Sequence, residues 1–280
     1  LGLSNQLKLL GKKMKKNILP LIALIFLPLL FNNCDDAVSD NKEYTAIDSR
    51  INIKLAEELS PDKRTLYLYC GTERIYGCIN YGIDYYVIKG ANSFKIKFNS
   101  VVISDICLTA LGPASCRIKL GELIEGTYNL NLEVNGKAEL AVLTVTNDSY
   151  KITHTPGFDF KFDNAELKRV PEYLIWGSAG YINDSLTNVV DTFLDSLQIL
   201  GAAPVNLSAG DYGFFKIDSS GNIIPPEYHG YPFIKMYLFE YQNDLNSIKE
   251  LMKRIQQQYV NQIYISCYTW QGDVFYGWTL

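Results

Sequence analysis

Four kinds of residue in this 280-residue chain could carry chemistry: cysteines, carboxylates, two histidines, and a large set of tyrosines and tryptophans. Cys34 stands directly behind a short apolar run, where a thiol is a candidate for acylation. Cys70 and Cys78, and again Cys107 and Cys116, are spaced like two strand ends around a loop. That spacing favours Cys70–Cys78 and Cys107–Cys116 disulfides, while four cysteines allow three pairings and the other two stay open. No C-x-x-C spacing occurs, so no zinc site or other metal is expected. Cys267 lies in an apolar strand and reads as a small buried hydrophobe.

The catalytic candidates are thin. His154 and His229 are the only histidines, and neither sits in a cluster of ligand or triad residues. Trp176-Gly177-Ser178-Ala179-Gly180 has the serine and second glycine of a nucleophile turn, but it lacks the first glycine and a helix directly behind it. Asp211, Glu227, Glu240 and Asp273 could serve as a glycosidase pair by residue type alone. No P-loop, dinucleotide glycine pattern or calcium loop is present, so no cofactor is expected.

The elements that position these residues begin with an address. Residues 1–13 precede Met14-Lys15-Lys16 and read as an upstream extension. The apolar run Ile18–Phe31 is broken by Pro20 and Pro28 and is shorter than the roughly 20 residues a spanning helix needs. A basic start before a short apolar core is the layout of a secretory signal, here residues 14–33. With Cys34 and Asp35-Asp36 behind it, this region resembles Bacteroidetes-type lipoproteins, although Phe31, Asn32 and Asn33 replace the usual residues before the cysteine. The resemblance implies cleavage before Cys34, lipidation of that residue and a membrane partner held through the lipid anchor. It also implies a place in the cell envelope, on the outer membrane. The two aspartates further resemble a surface-export signal. Two or three acyl chains would make attachment effectively permanent.

The chain's formal charge is −4. Removing residues 1–33 takes away five lysines and no acids, which brings the remainder to −9. An acidic body without a basic run excludes nucleic acid as the expected partner.

Residues 34–49 read as a polar tether. From 50 to 153 short strands alternate with turn residues, and Val134-Asn135-Gly136-Lys137 is a type I′ hairpin signal. This spacing predicts an all-β sandwich. Leu123–Tyr128 resembles the tyrosine-corner segment of immunoglobulin-like and fibronectin-like sandwiches, in which the hydroxyl bonds back to upstream backbone. Residues 154–171 read as a linker. In 172–280 the period changes. One helix is predicted from Asn183 or Asp184, with a stripe of Leu186, Val190, Phe193, Leu197 and Leu200. Another follows Asn243 or Asp244, with Leu245, Ile248, Met252, Ile255 and Tyr259. Strands are predicted at 172–177, 211–218, 233–241, 263–270 and 274–278. The order β-α-β-β-α-β resembles an α+β ferredoxin-like two-layer sandwich.

In such a fold, alternation places Tyr237, Tyr264, Tyr268 and Trp270 together on the sheet face opposite the helices. So many rings need a cover. Three are available: another part of the chain (the sandwich or residues 222–231), a protein partner or a second copy of the chain, or a glycan stacked on the rings. The leading reading is a non-catalytic envelope lipoprotein that binds a partner protein or a glycan. A carboxylate-dependent glycan hydrolase and a purely structural spacer are the alternatives.

Overall fold

The computed structural model describes residues 42–155, 157–227 and 230–280. The signal region, Cys34 and His229 lie outside the described residues. Lys42–Leu280 forms one compact unit, of whose described residues 51% are strand and 14% helix.

Eleven strands build the larger sheet. They are β1 (Glu43–Thr45), β2 (Ile51–Ser60), β3 (Lys63–Tyr76), β4 (Gly82–Lys89), β5 (Ser93–Ile103) and β6 (Gly112–Gly121), then β7 (Gly126–Val134), β8 (Lys137–Val145), β9 (Ser149–His154), β10 (Phe160–Asn164) and β11 (Glu166–Lys168). Their order is β10-β2-β3-β6-β4-β5-β7-β8-β9-β11, with β1 on β5. Period-two patterning makes each strand two-faced. In β2, Ile51, Ile53 and Leu55 are fully buried while Lys54 is exposed. The inward residues meet in one core that includes Leu66, Leu68, Phe98, Ile118, Leu130 and Leu143.

The sheet nearly closes on itself. β10 pairs parallel with β2 at one edge and β11 pairs with β9 at the other, with only Ala165 between them. Asn164 seals the join: its side-chain amide accepts from Leu55 N–H at 2.7 Å and donates to Leu55 O at 3.2 Å, replacing a backbone ladder rung. This closure leaves few unpaired edge groups.

The second sheet has the order β13-β16-β12-β17-β18. Its strands are β12 (Leu174–Tyr181), β13 (Ala203–Pro204), β16 (Phe233–Glu240), β17 (Ile263–Thr269) and β18 (Val274–Tyr276). Between them lie the hairpin strands β14 (Gly210–Asp211) and β15 (Lys216–Ile217) and the helices α1 (Thr187–Ile199) and α2 (Leu245–Gln258). Asp244 Oδ1 accepts from Asn246 N–H and caps α2, while Asn183 Oδ1 accepts from Ser185 N–H and caps a single 3-10 turn, Asp184–Leu186, that leads into α1.

The predicted fold class is overturned. The immunoglobulin-like sandwich is replaced by a nearly closed mixed sheet, and two helices in a mostly β chain do not make an α+β ferredoxin-like domain. Three parallel pairings, β5 with β7, β10 with β2 and the single pair that joins β4 to β6, are the physical cause in the first part. Parallel neighbours come from long connections that leave no local sequence signal. In the second part, the predicted strand 211–218 breaks at Gly213, where φ is +81°. Asp211 Oδ1 accepts from Gly213 N–H at 2.7 Å, and the chain folds into the β14–β15 hairpin outside the main sheet. The segment read as a linker supplies β10 and β11.

Two local readings hold despite this. Asn135 and Gly136 carry φ of +52° and +75°, as the hairpin requires. Tyr128 Oη donates to Ile124 O at 3.0 Å, the predicted corner bond, here pinning the entry to β7.

The favoured disulfides are corrected. Cys78 is bonded to Cys107, with Cα atoms 5.2 Å apart. Cys70 and Cys116 are thiols. β3 runs unbroken from Cys70 to Tyr76, roughly 20 Å of extended chain, so Cys70 cannot meet Cys78. Cys116 likewise lies within β6. Cys267 is a buried thiol, as read from the sequence, and burial pushes its pKa up to about 12.

Candidate functional site

β12 is the central strand of the second sheet, and its alternation creates two unlike faces. Ile175, Ala179 and Tyr181 join α1 and α2 in one core. Trp176 joins Leu174, Tyr212, Phe215 and Ile217 in another, with Leu238, Tyr268 and Trp270 packed against it. The hairpin β14–β15 and its flanks therefore cover part of the non-helix face.

The cover leaves a cleft of about 620 Å³. Its walls include Trp176, Ser178, Phe214, Met236, Ser266 and Tyr268, and its rim carries Asp211, Lys216 and Glu227 with Lys54 from β2. Trp176 is 3% exposed and forms a floor, stacked on Tyr268 at 5.9 Å and tilted against Phe215 at 5.3 Å. Phe214 is 46% exposed and stands over Trp176 at 5.6 Å. The ring faces open to a ligand are thus those of Phe214 and half-buried Tyr268. Burial and then Tyr276 raise the Tyr268 phenol to about 12, so it stays a protonated donor at neutral pH.

Ser178 and Ser266 supply polar groups beside the rings. Their hydroxyls lie 3.0 Å apart, and Ser266 Oγ also accepts from Ser178 N–H at 3.3 Å. Ser178 sits in mid-strand, not at a strand-to-helix turn, which removes the nucleophile-turn reading. His154 is on the other sheet, bonded to Glu139 at 2.9 Å.

The four predicted site residues do not converge. Tyr268 lines the cleft. Tyr264 shares the face but lies elsewhere along it, stacked on Tyr231 at 4.8 Å and edge-on to Trp278 at 5.9 Å. Trp270 packs against Tyr173 at 5.4 Å and lines a neighbouring groove with Tyr150 and Arg169. Tyr237 points the other way: it is buried against Phe193 of α1, and its hydroxyl donates to Ser266 O at 2.7 Å. Sequence reasoning missed Trp176, Phe214 and Met236. Rings do run on from the cleft floor, through Tyr268, Tyr276 and Trp278 to Tyr264.

Of the four carboxylates named from sequence, Asp211 and Glu227 line the cleft. Asp211 already holds the Gly213 turn and faces Lys216 Nζ at 3.8 Å. Asp273 closes a turn with Thr269, and Glu240 accepts from Gln242. Among the described residues, no group of three or more His, Cys, Asp or Glu side chains could hold a metal ion, and no helix is long and apolar enough to cross a membrane. Comparison of the chain with known protein families, curated proteins and solved structures finds no match.

Proposed function

We propose that this chain is an exported, lipid-anchored protein of the cell envelope whose cleft between β12 and the β14–β15 hairpin binds a glycan without cleaving it. The observation that carries the reading is the composition of that cleft. Exposed Phe214 and half-buried Tyr268 stand over a fixed tryptophan floor, with hydroxyls and charged groups of both signs around them. Ring faces match the C–H side of a pyranose, and a few polar groups around an apolar pocket orient a ligand. Rings backed by other rings lose little entropy on binding. Binding without catalysis is favoured because Asp211 is already committed to its turn and to Lys216. The anchor rests on the signal-like region and Cys34.

The test is a glycan array probed with the whole protein, followed by calorimetry on any hit with the parent and Phe214→Ala. Phe214→Ala should weaken binding at least about ten-fold, or about 1.4 kcal/mol. Its melting temperature should fall by only a few degrees, since about half of the residue is exposed. No hit on the array, or a hit with unchanged affinity in Phe214→Ala, would reject the cleft as a glycan site.

A further inference from the structure

Cys70 of β3 and Cys116 of β6 are direct cross-strand partners. Ser115 gives its N–H to Tyr81 O at 3.0 Å, and Ala114 gives its N–H to Thr72 Oγ1 at 3.0 Å. Residues 114 and 116 therefore turn their backbone groups toward β3, which makes Cys70–Cys116 a hydrogen-bonded pair. The Cα atoms of such a pair lie about 5.5 Å apart, inside the roughly 4.4–6.8 Å that a disulfide spans. Their side chains share one face of the sheet. Cβ atoms so placed need to approach by about 1 Å to bond. The pair is held from few sides: the β3–β6 register shifts between Gly71 and Ile75, and β4 pairs with the far edge of β6 only at Gly82–Ser115. Cys70 is 2% exposed within the core of the sheet, and Cys116 is half-buried against that core.

We propose that Cys70 and Cys116 are a dithiol that closes to a cross-strand disulfide by exchange with a small disulfide such as oxidised glutathione. The Cys116 thiolate attacks one glutathione sulfur, forming a mixed disulfide and expelling one glutathione thiolate. The Cys70 thiolate then attacks the Cys116 sulfur and expels the second. The two protons of the protein thiols end on two glutathione thiols. The protein loses two electrons and the glutathione disulfide gains them. The order follows from access and acidity: burial and the neighbouring Cys116 hold the Cys70 thiol well above its usual pKa, while Cys116 meets solvent. This assignment is independent of the glycan reading. Cys78 and Cys107 are already joined and Cys267 is buried, so neither competes.

The experiment is peptide mapping without reduction, on the whole folded protein treated with oxidised glutathione and then alkylated. The parent should yield a Cys70–Cys116 linked peptide. Cys70→Ser should stop at a glutathione adduct on Cys116, and in Cys116→Ser the Cys70 thiol should alkylate only after denaturation. A parent in which Cys116 keeps a stable adduct, or in which both thiols remain unmodified, overturns the proposal. The parent result stands by itself, so a variant that fails to fold does not leave the question open.

Discussion

Ser266 O lies under the space that a side chain at residue 177 would occupy, so two substitutions probe one backbone carbonyl. A Cβ built on Gly177 would fall inside contact distance of Ser266 O and 2.6 Å from Tyr237 Oη. Tyr237 is 4% exposed, and its hydroxyl donates to that carbonyl at 2.7 Å. Burial first, and Cys267 second, keep the phenol well above its usual pKa and so protonated. Tyr237→Phe removes the donor alone and leaves a buried carbonyl without it, which should cost about 1–3 kcal/mol. Gly177→Ala drives a methyl against main chain, which cannot swing aside as a side-chain tip would. Overpacking of about 1–3 kcal/mol plus loss of the same bond gives about 2–6 kcal/mol. Once Tyr237→Phe has removed the bond, the glycine change should cost less, with an interaction energy of about 0.5–3 kcal/mol. Urea unfolding of the four proteins measures all of this. The cleft supplies a second readout, because Ser266 presents its hydroxyl to Ser178 on the opposite face. Strict additivity, or a Tyr237→Phe cost within about 0.5 kcal/mol of zero, would refute the reasoning.

Two further outcomes are expected. Glu57, whose side chain is 1% exposed, accepts from Tyr150 Oη at 2.8 Å and lies 3.7 and 3.8 Å from Arg64 and Arg169. Desolvation, opposed first by Arg64, raises its pKa above 4.5, so its protonated form favours the folded state. That stability is complete below the unfolded pKa and is lost as pH rises through the folded one. Glu57→Gln should abolish this limb, and denaturation midpoints following the same pH curve in parent and variant would reject it. Cys34→Ser should lose radiolabelled palmitate from expressing cells; equal label in both proteins would remove the anchor.

Most individual elements were legible because they are set locally. The Asp244 cap of α2, the Asn183 cap of the turn that leads into α1, the buried stripes at Val190, Phe193 and Leu197 and at Ile248, Met252 and Ile255, and the Asn135-Gly136 turn all follow from residues within a few positions of one another. Assembly was not legible. The pairing of β10 with β2 joins residues more than a hundred positions apart through Asn164, whose side chain stands in for backbone. No composition or period marks such a residue beforehand. The cysteines failed for a related reason: loop length suggested Cys70–Cys78, but strand length decided otherwise, because β3 does not end where a turn was expected.

The misplacement of Tyr237 has a more specific cause, and it bears on the site. Phe233–Tyr241 is apolar in both phases because its sheet is covered on both faces, so alternation carries almost no information there. Lys235 and Glu240 are the two charged residues in this stretch and lie in opposite phases, so charge does not fix the phase either. A lysine among apolar residues reads as facing solvent, yet here it lies on the helix side and pairs with Asp191 of α1. Reversing the phase sends Tyr237 and Phe239 into the helix core and turns Met236 and Leu238 toward the cleft. The aromatic character of the cleft must then come from β12, β17 and the hairpin, through Trp176, Tyr268 and Phe214. In β12 the small residues Gly177, Ser178, Ala179 and Gly180 were weighed only as a nucleophile turn. They carry a different meaning: Gly177 admits the Ser266 carbonyl, Gly180 admits the Tyr231 ring, and Ser178 leaves open the space beside Trp176 that becomes the cleft. A central strand of small residues beside one tryptophan is therefore where a cavity could have been sought, because side chains that would otherwise fill the sheet face are missing there.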